Sequence, residues 1–423
     1  MPDVAGSAAP TSSHPHCPDC AEYPVNHTIE WFSSLIDSVT EPFFAPLDIA
    51  TQKLWHLLGK PSLSDQLALP FLRTLAFLRL GTIQTDIDER DSVRAKLMWQ
   101  AAKARDITLY QFLARGRFDG LSIFVARTAD GRSRVFEGLP RPQRGTPPSL
   151  TWMDNKATLK KKFLAAGIPI AQGRGCRTWR QALETFERVG APVITKPNIG
   201  SRGRHSSVHI MDKESLKKGF DSAKQLSPWV VVEQELQGDL FRVLLVDGKP
   251  VSVLRREAAH VEGDGISTIR TLAEKENKDP RRQGPTFHHL PMDNNTRAEL
   301  ERQGCTWESV PKRNAVVTLS PHISRYLGGT TTDFTDRVHP ENIALFEYIA
   351  KVLDDSLVGI DFIINDIARP WREQKFCGVV ECNSLPNIQL HSDVFCGKSL
   401  DVAGLLLDLV FPQKEAKQDK TPQ

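Results

Sequence analysis

At 423 residues, with 54 Lys and Arg against 51 Asp and Glu, the chain is longer than one typical core, so two or three packed units are expected. Its near-balanced charge gives no electrostatic reason for a nucleic-acid or membrane partner. No apolar run approaches the roughly 20 residues of a helical span, and no basic stretch followed by a hydrophobic one opens the chain, so the cytosol is the expected compartment. Seven cysteines, an odd number without regular spacing, argue for thiols rather than a disulfide framework.

Residues 1–30 are rich in Pro, Ser and Ala and read as a disordered tail, as do the polar residues 413–423. Within the first tail, His14, His16, Cys17 and Cys20 have metal-like spacing. A single Cys pair without a downstream pair is a weak zinc signal, and the tail is the preferred reading. Residues 31–148 read as a helical and small α/β N-terminal domain. Apolar stretches at 55–58 and 71–77 suggest helices broken near Pro61 and Pro70. A helix over 92–104 and a strand over 107–112 come next, then a hairpin of 121–126 and 134–136 joined through Asp130-Gly131. The Pro-rich stretch 139–148 reads as a linker.

A second α/β unit follows, with helices over 155–166 and 178–189. The latter opens on a Thr178/Gln181 capping box and closes on Gly190. A strand begins at Val193, a helix over 215–225 buries Leu216, Gly219, Phe220 and Ala223, and 229–233 is a buried-type strand. Asp247-Gly248 between two apolar runs is the clearest hairpin signal in the chain. The polar stretch 258–313 reads as an extended loop region with one helix over 267–277. Pro340 opens a helix carrying Ile343, Phe346, Ile349 and Leu353, and 358–364 and 377–382 read as neighbouring strands.

Those two strands carry the chemistry. Asp361 sits among Ile360, Phe362, Ile363 and Ile364, and Glu381 and Asn383 lie two apart on the next strand, hence on one face. A carboxylate inside an apolar strand is costly unless it is paired or metal-bound. Two readings stand: ordinary salt bridges at a sheet edge, or a set of hard oxygen ligands of the kind Mg²⁺ takes when it also holds nucleotide phosphates. Lys196 at a strand end precedes the small-residue, cation-rich loop containing Gly200, Ser201, Arg202, Gly203, Arg204 and His205, where backbone N–H groups can approach phosphates. Lys156 stands at a helix start, a poor place for a cation unless an anion is there.

In order and spacing, Asp154-Asn155-Lys156, 193–197, 231–233, 359–361 and Glu381-Cys382-Asn383 resemble the ATP-grasp superfamily. Residues 254–270, 328–336 and 338–342 are similar to the ATP-grasp region of cyanophycin synthetases and fused glutathione synthetases. The resemblance implies an α/β (α+β) fold in which two α+β subdomains, 151–229 and 230–412, sandwich ATP behind a small pre-ATP-grasp-like domain. It implies a carboxylate-amine ligase working through an acyl phosphate, with ATP and Mg²⁺ (or Mn²⁺) as cofactors and small-molecule carboxylate and amine substrates. A homo-oligomer is compatible with it. Lys156 and Lys196, with Gly200, Ser201 and Arg204, would contact phosphates, and Glu233, Gln234 and Leu236 would hold adenine. Asp361, Glu381 and Asn383 would bind the metal, and Arg255, Arg256 and Arg325 would attend the substrate or the transferred phosphate.

The chain departs from the pattern at several positions. Asp239 precedes the place of the usual ribose-contacting acid, His205 stands where the family loop carries glycine, Tyr326-Leu327 replaces Ser-Thr, and Leu385-Pro386-Asn387 replaces Pro-Gly. With only a short tail after Pro412, a stand-alone ligase is expected. The alternatives are an ATP-binding regulatory or scaffold protein without turnover, and a kinase-like member that stops at a phosphorylated product.

Overall fold

The computed structural model describes residue 17 and residues 26–36, 62–89, 91–115, 122–142, 147–199, 204–284 and 286–412. Most of the two expected tails, the 55–58 segment, Pro61, Gly200 and Ser201 lie outside them. The chain divides into two compact units: residues 1–50, 148–237 and 376–381 form one, and 51–147, 238–375 and 382–423 the other.

The first unit is built on a four-stranded antiparallel sheet in the order Gly173–Cys176, Val230–Gln234, Val193–Pro197, Ser207–Ile210. Its helices form where local signals say they should. Trp179–Val189 opens on the Thr178/Gln181 capping box and ends on Gly190 with φ +82°. Lys213–Lys224 is capped by Asp212 and buries Leu216, Gly219, Phe220 and Ala223. These helices and the alternate residues Val230 and Val232 close one core, with Trp179 edge-on to Phe220 at 6.1 Å. The period of two in a strand sends Val231 and Glu233 to the other face. The segment 376–381 returns to this unit late in the chain, where the Val379 N–H donates to Pro169 O at 2.8 Å.

In the second unit, the sheet Gly81–Gln84, Thr108–Ala114, Ser122–Arg127, Ser133–Glu137 is antiparallel throughout. Helix Ser62–Phe77 covers one face through Leu69 and Leu72, and Val93–Lys103 covers the other through Met98 and Trp99. Contrary to expectation, Pro70 does not break the first helix but lies inside it, on its exposed side. The buried Leu69 and Leu72, packed with Phe112 and Val125, hold the helix together across the proline.

A five-stranded sheet carries the rest, in the order Thr330–Asp333, Lys249–Glu257, Asp239–Val246, Leu357–Ile364, and Gly378–Asn383, the strand along which the chain passes from one unit to the other. The hairpin turns on Asp247 (φ +51°) and Gly248 (φ +78°), the double positive φ that a type I′ turn requires. Helix Pro340–Leu353 packs on one face, with Phe346 edge-on to Phe362 at 5.3 Å.

The stretch 258–313 departs from the extended loop expected. It contains His260–Glu262, Ile269–Glu276, Pro280–Gln283 and a second helix, Asn294–Arg302, capped by Asp293. With Val316–Thr318 these elements enclose a separate core of Val261, Ile269, Leu272, Leu300, Trp307 and Leu319. Apolar residues too widely spaced for a clear period still meet there, because short elements each contribute only one or two.

Candidate functional site

In the first unit a buried charge cluster stands on the sheet face opposite the core. Glu233 and Lys196 both lie on this face, since Glu233 pairs with Ile194 and Lys196 with Val231 across the adjoining strands. Helix Lys156–Ala165, capped by Asn155, brings in Lys160 one turn after Lys156. Glu233 is 3% exposed and receives Lys196 Nζ and Lys160 Nζ at 2.6 Å each. Lys196 also donates to Val380 O at 3.4 Å, and Lys160 to Ala171 O. Burial pushes the Glu233 carboxyl up, but Lys196 and Lys160 outweigh it and hold the group below its ordinary range. Burial lowers Lys160 and Lys156, opposed by Glu233 for the former and chiefly by Glu381 for the latter. An anion joining desolvated amines of this kind favours their charged form.

The second unit presents a polar face on its five-stranded sheet. Asp361 lies directly across from Arg242, and Arg242 across from Leu254. The Arg242 guanidinium grips Asp361 in a two-pronged pair, Nε to Oδ1 at 2.5 Å and Nη2 to Oδ2 at 2.9 Å, both side chains 7% exposed. Arg256, two residues from Leu254 on the same face, comes within 3.7 Å of Asp361 and donates to Ile323 O at 3.1 Å. Gly359 lies two residues before Asp361. A Cβ there would stand 3.3 Å from Arg242 Nη1 and 3.7 Å from Asn383 Cβ, so the bare backbone leaves room for both. His391 is wholly buried beside them, Nδ1 2.7 Å from Ser252 Oγ. Burial, reinforced by Arg242 and Arg325, draws its imidazole down to about 3.

The expected site residues therefore divide. Asp361, Asn383 and Arg256 share one face of the sheet. Arg255 and Asp239 lie on the other face by register; Arg255 pairs with Glu257 at 2.8 Å and Asp239 at 3.4 Å and stacks 4.9 Å over Phe334. Arg325 donates to the carbonyls of Gln389, Leu390 and Asp393, and burial draws it down to about 10. Gln234 uses its backbone N–H on Gln172 O at 2.7 Å, and Leu236 and Arg204 are partly exposed. Lys160, Arg242 and His391 were missed. The i, i+4 pairing of Lys156 with Lys160 was the available signal for the first. Arg242 in an otherwise apolar strand posed the same question as Asp361.

No protein-family model matches the chain. Over 267 residues it is 35% identical to the cyanophycin synthetase of Trichormus variabilis, covering 62% of this chain and 29% of that protein. Over 269 residues it is 28% identical to the glutathione biosynthesis bifunctional protein of Mannheimia succiniciproducens, 62% of this chain and 36% of the relative. The chain thus spans about a third of the length of these curated relatives. The crystal structure of a bifunctional glutathione synthetase from Pasteurella multocida superposes with a TM-score of 0.56 at 21% identity, covering 76% of this chain and 44% of that one, which shows a shared fold. Among the described residues no helix is long and apolar enough to cross a membrane, and no disulfide joins the described cysteines. In sequence the chain is similar to part of the cyanophycin synthetases, and its fold is shared with a bifunctional glutathione synthetase.

Proposed function

We propose that this protein is an ATP-dependent ligase of the cytosol that joins a small-molecule carboxylate to an amine through an acyl phosphate, releasing ADP and phosphate. The observation that carries the proposal is the buried cluster of Lys160, Lys196 and Glu233 with Lys156 on the same helix as Lys160. Desolvated lysines held by a buried carboxylate are a costly arrangement that an anionic polyphosphate would justify.

In this reading Lys156 and Lys196 neutralise the phosphates, with Gly200, Ser201 and Arg204 contributing from the loop. Glu233 sets the lysine positions, and the backbone of Gln234 to Leu236 meets the base. Asp361, Glu381 and Asn383 are two carboxylates and an amide, a hard-oxygen set that fits Mg²⁺. These three residues would hold such an ion, and the chemistry it would supply is neutralisation of charge on the transferred phosphoryl group. Arg242 fixes the Asp361 carboxylate, and Arg256, on the same face, supplies a cation for an anionic substrate or phosphoryl group. A carboxylate is a poor electrophile until phosphorylated. Positioning and charge neutralisation are what its activation asks of the protein.

The test is a matrix of carboxylates and amines with ATP and magnesium, read by phosphate release and product mass. Release that requires both substrates, and that falls at least about 100-fold in Asp361→Asn and Glu381→Gln proteins, is expected. Phosphate release unchanged in folded variants would refute the assigned residues. Nucleotide binding without any product across the matrix would favour a non-catalytic ATP-binding role.

A further inference from the structure

His205 is an anomaly in two respects. Its backbone takes φ +52°, a conformation that costs an ordinary residue and suits glycine. Its side chain is nonetheless buried, at 2% exposure. The imidazole points away from solvent toward Cys17 and His27: Nε2 lies 3.5 Å from Cys17 Sγ, and the His27 ring stands edge-on at 4.9 Å between centroids. One ligand atom from each of Cys17, His27 and His205 lies within 4.8 Å of the others, the cluster of this kind found among the described residues.

We propose that Cys17, His27 and His205 form a zinc site of three protein ligands, the fourth tetrahedral position being left to a water molecule. The donor set is one thiolate and two imidazoles, which suits zinc and not the oxygen-seeking magnesium. The Cys17 to His205 separation matches an edge of a tetrahedral zinc centre, about 3.6 Å for ordinary Zn–S and Zn–N bonds. The outer shell is already in place. His205 Nδ1 is 2.9 Å from Ser222 O, so that nitrogen carries the proton and donates it, leaving the Nε2 lone pair directed at Cys17. His27 is held as well. It opens helix 27–36, where the Asn26 side chain accepts from the N–H groups of Thr28 and Ile29, and Ser34 Oγ lies 2.8 Å from Ser227 Oγ in a buried contact. On binding, Cys17 coordinates as thiolate and releases its proton to solvent, while both histidines bind neutral. The site ties an N-terminal residue and the start of helix 27–36 to His205, the second residue after the glycine-rich segment 200–203. Cys20, at Cys-x-x-Cys spacing from Cys17, lies outside the described residues and is not counted as a ligand.

The test uses the full chain, stripped of metal and titrated with zinc against a chromophoric indicator in excess magnesium. One zinc per chain is expected, with affinity reduced at least about 100-fold in Cys17→Ser, His27→Ala and His205→Gly. The last variant relieves the backbone conformation while removing a buried ligand, and its unfolding transition, measured alongside, separates loss of zinc from loss of folding. Cobalt in place of zinc should give a thiolate charge-transfer band that Cys17→Ser abolishes. No stoichiometric zinc, or zinc retained undiminished by Cys17→Ser and His205→Gly, would overturn the proposal and leave the cluster as a thiol–imidazole contact.

Discussion

Glu233 is the residue on which the first unit's charge balance turns. It is 3% exposed and serves two amines at once, so Glu233→Gln leaves Lys160 and Lys196 buried without their counter-charge. Breaking a buried pair in this way costs roughly 3–5 kcal/mol. Denaturant unfolding should register that loss, and Glu233→Gln combined with Lys160→Met should be less destabilised than the sum of the two single changes. His391 gives a second residue-scale expectation. Its folded imidazole titrates near 3 against an ordinary 6.5. Below pH about 6.5 the unfolded chain takes up a proton that the folded chain refuses, so stability falls as pH drops through that window, by up to about 1.4 kcal/mol per pH unit from this group. Unfolding curves of His391→Asn protein between pH 6 and 4 should lose that share of the slope; an unaltered slope would show that other groups set it. Lys196, Asp361 and Glu381 stood out in the sequence because charged residues in apolar strands contradict their surroundings, and Lys156 because it is a cation at a helix start. Their partners did not, since Lys160 and Arg242 become site residues only once the fold brings them to Glu233 and Asp361.

At the scale of elements, the cap and turn readings made from the sequence hold because their signals are local. The Thr178/Gln181 box with Gly190 and the Asp247-Gly248 turn each rest on a few neighbouring residues, while Ser92 and Asn155, read as the first residues of their helices, are the N-caps. Two readings failed where distant packing decides. Residues 258–313 lack a sustained period yet share the core around Leu300 and Trp307. Pro70 lies within helix Ser62–Phe77 because Leu69 and Leu72 are anchored on the sheet. That proline is exposed and forgoes a helical hydrogen bond, so Pro70→Ala should stabilise the protein by about 1–3 kcal/mol. A rise in the thermal midpoint of the variant would be the sign. A fall would mean that the helix is distorted at Pro70 in a way its packing requires.

The whole chain is organised as two units drawn from non-contiguous segments, which is why a linear division of the sequence could not describe it. The first takes 148–237 and then 376–381 after nearly 140 intervening residues, and the return strand runs from Gly378 in one unit to Asn383 in the other. Each unit owns its apolar core: Phe220 packs among Cys176, Leu216 and Val232 in the first, while Phe346 packs on Phe362 in the second. Truncating either ring to alanine removes buried surface and opens a cavity, at a cost of about 3–5 kcal/mol. Because the cores are separate, the damage should be local. Amide exchange in Phe220→Ala protein should accelerate mainly within 148–237, and in Phe346→Ala protein within 238–375. Nucleotide supplies the complementary perturbation. Binding at Lys156 and Lys196 should slow exchange in the strands Val193–Pro197 and Val230–Gln234, by an amount that grows with ligand concentration. Lys156→Met should abolish that protection while leaving the unliganded exchange pattern of both cores intact, whereas protection that survives the substitution would move the phosphate site elsewhere.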